Sequence, residues 1–125
     1  MSISAQHILI IEDEDLLAGI LQEKLGSLGF RVSRAKDGEE GLQAVRDCKP
    51  DLIVTDILLP VLDGREMITA LRGEGLTMPV IAMTNLESLD SLNSLLNGPH
   101  DRVLKKTYQT LEQLVSIIQD TAHAL

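Results

Sequence analysis

Residues 51–64, with the sequence DLIVTDILLPVLDG, contain the features that decide the fold. Residues 52–54 form a short apolar run between turn-forming residues, which predicts a strand buried on both faces. Asp56 ends this strand, and the loop after it is stiffened by Pro60 and closed by Asp63-Gly64. Open α/β sheets bind their ligands beyond the carboxyl ends of such strands, so Asp56 is a candidate functional carboxylate. The alternative is an aspartate that only caps the backbone of a loop.

Short apolar runs and amphipathic segments alternate along the rest of the chain. This alternation predicts an α/β fold with a parallel sheet and helices on both faces, because parallel strands need crossover helices. The predicted strands cover residues 8–11, 30–34, 52–54, 79–83 and 103–104. The predicted helices carry their apolar residues over 16–28, 42–45, 67–71, 87–97 and 108–118, and Asp15 is a candidate N-cap for the first.

The composition predicts one globular domain over residues 1–125. With a net charge of -8 and 2% aromatic residues, the chain repels nucleic-acid backbones and lacks platforms for base stacking, so we expect no direct nucleic-acid binding. The sequence contains neither an apolar run of membrane-spanning length nor a signal peptide, and its single cysteine, Cys48, cannot form an internal disulfide. We therefore expect a cytoplasmic protein with no membrane partner.

Polar residues at four predicted strand ends form the candidate site. Glu12 and Asp13 follow the first strand, Asp56 ends the third, Thr84 follows the fourth and Lys105 follows the fifth. Three clustered carboxylates repel one another unless a cation neutralises them, and Mg²⁺ prefers such hard oxygen ligands. A carboxylate nucleophile, a metal, a lysine and a hydroxyl are the groups needed for phosphoryl transfer onto an aspartate.

The order and spacing of these residues resemble those of the receiver domains of two-component response regulators. The resemblance covers essentially the whole chain and includes HILII before the acidic pair, PVIAM before Thr84, and RVLKK with Lys105. It implies a flavodoxin-like (βα)5 sheet of strand order 2-1-3-4-5. It also implies a signalling domain rather than an enzyme, with self-catalysed phosphorylation and slow autodephosphorylation as its only chemistry.

The resemblance assigns a role to each site residue. Asp56 would be the phosphoacceptor, taking the phosphoryl group from a phosphohistidine on a histidine kinase or histidine phosphotransfer protein. Asp13, Asp56 and the backbone carbonyl of Leu58 would bind Mg²⁺, and Glu12 would reach the ion directly or through water.

The lysine and the threonine would carry the signal. Lys105 would pair with the Asp56 carboxylate and then with a phosphoryl oxygen. Thr84 would move toward the phosphoryl group, and the surface of the fourth helix, fifth strand and fifth helix would change toward a downstream protein or output domain. Leu86, Leu89, Leu92, Leu95 and Leu96 are interpreted mainly as core, with a docking or homodimer surface as the alternative.

The sequence departs from the family pattern at positions near the candidate lysine. Arg102 stands three residues before Lys105, where the family has an aromatic switch residue, and is interpreted as an exposed edge-strand residue or as a partner contact. Lys106 stands where the family has a cis-proline, which predicts a trans peptide bond. Asn85 replaces a small residue and could crowd access to Asp56.

Two alternative functions stay open at this point. A pseudo-receiver would use the same fold to bind proteins without being phosphorylated, and the departures at Arg102 and Lys106 favour it. An aspartate-nucleophile phosphatase of the haloacid-dehalogenase type would use the Asp-x-Asp pattern at residues 13–15, but its second acidic pair and cap are missing from the sequence.

Overall fold

The computed structural model describes residues 5–85, 90–106 and 109–125, without the side chains of residues 90 and 91. Its five strands form one parallel sheet in the order β2-β1-β3-β4-β5, which confirms the predicted α/β fold and strand order. The strands are β1 (His7–Ile11), β2 (Arg31–Ala35), β3 (Leu52–Asp56), β4 (Val80–Thr84) and β5 (Arg102–Lys105). The helices are α1 (Asp15–Ser27), α2 (Gly38–Cys48), α3 (Gly64–Gly73), α4 (Asp90–Leu95) and α5 (Leu111–His123).

The three central strands, β1, β3 and β4, are buried along their whole length. Alternate residues of each strand point to opposite faces of the sheet, so the core forms two layers. Ile8 and Ile10 pack in the layer beneath α1 and α5. Leu9 and Ile11 pack in the layer that also contains buried residues of α2, α3 and α4. Burial on both faces explains why these strands are continuous apolar runs in the sequence.

Side-chain caps fix the starts of three helices. The Asp37 carboxylate accepts the Glu40 N–H at α2, and the Asp63 carboxylate accepts the Glu66 N–H at α3. At α5, Thr110 and Gln113 form a reciprocal capping box.

The prediction that Asp15 caps α1 is wrong, because Glu14 occupies the N-cap position and Asp15 is the first helical residue. The Asp15 carboxylate instead forms an ion pair with Arg34. His7 is buried at the start of β1, and Cys48, the last residue of α2, is exposed.

The leucines of the predicted fourth helix lie mainly in the core where the structure describes them. Leu92 and Leu96 are buried and Leu95 is half-buried, all three in the layer beneath α3 and α4. Leu86 and Leu89 lie outside the described residues. Within the described ranges, no helix is long and apolar enough to cross a membrane.

Candidate phosphorylation site

Three carboxylates meet at the carboxyl edge of the sheet, as the parallel topology requires. Glu12 and Asp13 follow β1, and Asp56 is the last residue of the adjacent strand β3. One carboxylate oxygen from each residue lies within 4.8 Å of the other two. The Glu12 side chain is fully buried, Asp56 is buried, and Asp13 is exposed to solvent. These three residues, here called the acidic trio, could hold a metal ion.

A lysine ammonium group contacts two members of the acidic trio, and it belongs to Lys106. Its Nζ lies 2.6 Å from Asp56 Oδ2 and 3.3 Å from Glu12 Oε1. The prediction that Lys105 pairs with the Asp56 carboxylate is therefore wrong by one residue. Lys105 is the last residue of β5, where it is half-buried and in register with Thr84.

The physical reason for this error is the alternation of side chains along a strand. On β5, Val103 packs against the α3–α4 layer and Leu104 packs against the α1–α5 layer, so a shift of one residue exchanges the two faces. Two consecutive lysines offer the same charge and length to sequence comparison, and only the end of the strand determines which one reaches the carboxylate.

Arg102 and Lys106, two of the departures from the family pattern, lie within the described residues. Val103, three residues before Lys106, is half-buried. Arg102 is exposed on the edge strand, as predicted. The Lys105–Lys106 peptide bond is trans, since no cis bond occurs in the described ranges. Thr107, the next residue, lies outside those ranges.

The loop after β3 holds the Asp56 side chain by its backbone. The Leu58 N–H donates to Asp56 Oδ1 at 3.1 Å, so the two oxygens of Asp56 have different partners. Leu58 itself is 59% exposed, which puts this predicted metal-binding residue at the rim of the site. The loop closes through a 2.8 Å hydrogen bond from the Gly64 N–H to the Ile57 carbonyl. A Cβ on Gly64 would lie 2.7 Å from the Asp56 carbonyl oxygen, so this close approach requires glycine.

Thr84 and Asn85 stand at the end of β4 next to this loop. Thr84 is fully buried, and Asn85 is exposed. β3 and β4 are joined just before this point, where the Ile57 N–H donates to the Met83 carbonyl at 3.0 Å. The candidate hydroxyl is therefore on the strand adjacent to Asp56.

The electrostatics of Glu12 and Lys106 follow from burial and from the contacts between charged groups. Burial raises the pKa of the Glu12 carboxyl above its ordinary value, and the opposing charge of Lys106 does not cancel this effect. Burial lowers the pKa of Lys106, but its hydrogen bond to Asp56 and the charges of Asp56 and Glu12 outweigh that effect, so the pKa is raised. Lys106 is therefore charged at neutral pH.

Comparison with known proteins identifies the family. The family model described as "Response regulator receiver domain" matches residues 8–119, which is most of the chain. The chain belongs to this family. Phosphorylation on an aspartate is the standard function of these domains, which act in signalling rather than as classical enzymes. Receiver domains bind Mg²⁺ at an acidic pocket, and those of response regulators partner with histidine kinases.

Relatives of this receiver domain include transcriptional regulators. The chain is 39% identical over 101 residues to the alkaline phosphatase synthesis transcriptional regulatory protein PhoP of Bacillus subtilis, covering 80% of the chain and 42% of PhoP. It is 34% identical over 117 residues to the transcriptional regulatory protein PrrA of Mycobacterium leprae, covering 94% of the chain and 50% of PrrA. The receiver domain thus spans about half the length, or less, of these curated relatives.

Solved structures share the fold along nearly the whole receiver domain. The receiver domain of the Francisella response regulator 1452 superimposes with a TM-score of 0.83 at 25% identity, with 95% of this chain and 98% of that one covered. The chemotaxis response regulator CheY4 of Vibrio cholerae gives a TM-score of 0.80 at 21% identity, with 94% and 99% covered, and shows the fold alone.

Proposed function

We propose that Asp56 of this receiver domain accepts a phosphoryl group from a phosphohistidine on a histidine kinase or histidine phosphotransfer protein. The observation that carries the proposal is the 2.6 Å contact between Asp56 Oδ2 and Lys106 Nζ inside the acidic trio. The contact places a positive charge directly against the carboxylate that would act as the nucleophile. After the transfer, the Lys106 ammonium group would lie next to the phosphoryl oxygens on Asp56.

The transfer exchanges one bond to phosphorus for another. A carboxylate oxygen of Asp56 attacks the phosphorus atom, the bond from phosphorus to the imidazole nitrogen breaks, and its electron pair returns to the ring. The product is an acyl phosphate on Asp56 and an unphosphorylated histidine on the partner. Lys106 replaces its contact with the carboxylate by a contact with a phosphoryl oxygen, so its charge is never left unpaired.

The acidic trio fits the Mg²⁺ that this family binds. Among the described residues, the three carboxyl groups lie close enough together to share one ion, and the Lys106 ammonium group contacts only two of them. Glu12, Asp13 and Asp56 would hold the ion together with the Leu58 backbone carbonyl. When bound, Mg²⁺ neutralises carboxylate and phosphoryl oxygens and so favours the crowded, negatively charged transition state.

Output would depend on Thr84 and on the surface made by α4, β5 and α5. Thr84 would move toward the phosphoryl group, and that movement would reshape the surface for a downstream protein, an output domain or a second copy of the chain. Val103 offers no aromatic ring for an inward swing, so the movement would act through backbone and aliphatic packing. Leu58 offers no polar side chain to orient an attacking water, which favours slow loss of the phosphoryl group.

The first experiment measures intact protein mass after incubation with acetyl phosphate and Mg²⁺. We expect wild type to gain one phosphoryl group and Asp56→Asn to gain none. Lys106→Ala should slow the gain by at least tenfold, while Lys105→Ala should leave it within about twofold, because only the first variant loses the ammonium group beside Asp56.

Three other results would contradict the proposal in different ways. Equal effects of the two lysine variants would contradict the role of Lys106. No mass gain, even with a phosphorylated histidine protein as donor, would favour a pseudo-receiver. Turnover of a phosphate ester that is abolished by Asp13→Asn but not by Asp56→Asn would favour an aspartate-nucleophile phosphatase.

A further inference from the structure

We propose that Arg34 is a positioning residue for the cation site, acting through the backbone of Glu12. The inference rests on the proposed function, because it concerns the same acidic trio. Arg34 reaches the acidic trio through the backbone carbonyl of Glu12 and not through a carboxylate of the trio. It holds residues 12–15, the turn after β1 and the first residue of α1, and this segment carries two of the three carboxylates.

The Arg34 guanidinium makes three polar contacts with this turn. Its Nε and Nη2 donate to the Glu12 carbonyl oxygen at 3.0 and 2.8 Å. Its Nη1 lies 2.8 Å from the Asp15 carboxylate. The Arg34 side chain is 15% exposed, whereas that of Asp15 is 81% exposed, so the contact to the Glu12 carbonyl is the protected one.

Arg34 extends the pairing of β1 with β2 by one residue. The Glu12 N–H donates to the Ala35 carbonyl at 3.0 Å, and β2 ends at Ala35. The guanidinium supplies the donors for the next carbonyl, where the backbone ladder stops. Both backbone polar groups of Glu12 are therefore bound to β2, and the planar fork of arginine fixes the carbonyl from two directions.

A fixed backbone at Glu12 matters because of what its side chain does. The fully buried Glu12 carboxylate contacts Lys106, and Asp13 follows directly along the chain. Mg²⁺ demands nearly ideal octahedral geometry, and binding sites lose affinity when their ligands drift by about 1 Å. Release of the Glu12 carbonyl would let the carboxylates of both residues drift relative to Asp56.

Charge and geometry predict opposite effects of removing Arg34. If its charge dominated, the neutral variant Arg34→Gln would bind Mg²⁺ more tightly, because a guanidinium near an acidic site repels cations. If positioning dominates, as we propose, the same variant binds Mg²⁺ more weakly. Arg34→Lys keeps the charge but loses the fork, so positioning predicts weaker binding for this variant as well.

The structure offers a matched control in Arg72. Its Nη1 donates to the carbonyls of Leu76 and Met78 at 2.8 and 3.0 Å, and its Nη2 pairs with Asp101. This cluster also receives the Val80 N–H, at the start of β4, and so lies at the opposite edge of the sheet from the acidic trio. Arg72→Gln therefore removes a comparable set of contacts far from the cation site.

The test is calorimetric titration of the whole chain with MgCl₂, at a temperature where thermal melts show every variant to be folded. We expect the dissociation constant for Mg²⁺ to rise about tenfold in Arg34→Gln, the low end of the effect of outer-shell partners. Arg34→Lys should show a rise of at least threefold. Arg72→Gln should melt at a lower temperature and keep the wild-type dissociation constant.

The outcomes separate this inference from the proposed function. An unchanged or lower dissociation constant in Arg34→Gln would overturn the role of Arg34 while leaving phosphorylation of Asp56 intact. If Arg34→Gln does not fold, Arg34→Lys decides, and a wild-type dissociation constant there would overturn the inference. Wild-type protein that gains phosphoryl mass but binds no Mg²⁺ would overturn the cation site and this inference together. Wild-type protein that binds Mg²⁺ but cannot be phosphorylated would contradict only the proposed function.

Discussion

His7 lies at the start of β1 with its imidazole buried beside the edge strand. Its Nε2 shares a 2.7 Å hydrogen bond with Ser33 Oγ. Burial lowers the pKa of His7, the charge of Arg31 lowers it further, and Asp51 opposes both without reversing them. The surroundings of His7 therefore favour the neutral form of its imidazole ring.

The lowered pKa of His7 predicts that the free energy of unfolding falls as the pH falls. The unfolded chain binds a proton near the ordinary histidine pKa of about 6.5, and the folded chain binds it only at lower pH. Stability from this residue is therefore full above that value and is lost below it, by at most about 1.4 kcal/mol per pH unit. Urea unfolding of wild type and His7→Gln at several pH values between 5 and 8 would measure the effect. If the free energy of unfolding changed with pH in the same way in both proteins, the prediction would be contradicted.

At the scale of elements, α2 and the loop between β3 and α3 touch by their backbones. A Cβ on Gly38, the first residue of α2, would overlap the carbonyl of Leu62 in that loop. The same loop carries the Leu58 N–H that holds Asp56. The start of α2 therefore limits where the loop between β3 and α3 can lie.

Gly38→Ala is expected to lower the free energy of unfolding by roughly 1–3 kcal/mol, as overpacking of backbone does. It should also slow phosphorylation, because the loop must shift to admit the methyl group. Gly19→Ala is the control, since nothing lies within 4 Å of its Cβ position on α1. That variant should gain roughly 0.5–1 kcal/mol of stability from helix propensity. Equal stability of the two variants in urea unfolding would contradict the contact.

At the scale of the whole molecule, a net charge of -8 and the acidic trio make the folded state responsive to cations. A ligand that binds only the folded state stabilises it in proportion to its saturation. Because the trio is assembled from two strand ends far apart in sequence, the unfolded chain has no equivalent site.

We expect Mg²⁺ to raise the melting temperature, with about 1.4 kcal/mol of added stability at tenfold excess over the dissociation constant. Thermal melts with MgCl₂ and with NaCl at matched ionic strength would separate binding from screening. Asp13→Asn should lose most of the Mg²⁺ effect, while Asp47→Asn, on the exposed face of α2, should keep it. An equal response to both salts would contradict a specific site.

The residue types and periodicity of the chain determined most of the fold. Residues buried on both faces must be apolar, so β1, β3 and β4 are visible as continuous runs, and the crossover helices between them force a parallel sheet. Parallel strands end at one edge, and so the sequence also predicted that Glu12, Asp13 and Asp56 meet.

Only the tertiary structure decided which neighbouring side chain faces which partner. The ammonium group beside Asp56 belongs to Lys106, although Lys105 is its neighbour in sequence. Consecutive side chains at the end of β5 point in different directions, so a shift of one residue changes which lysine makes the contact. Asp15 pairs with Arg34 rather than capping α1, and Arg34 had no sequence signal because its partner is a backbone carbonyl. Periodicity records burial, whereas these contacts depend on three-dimensional distances between strands that the chain order does not contain.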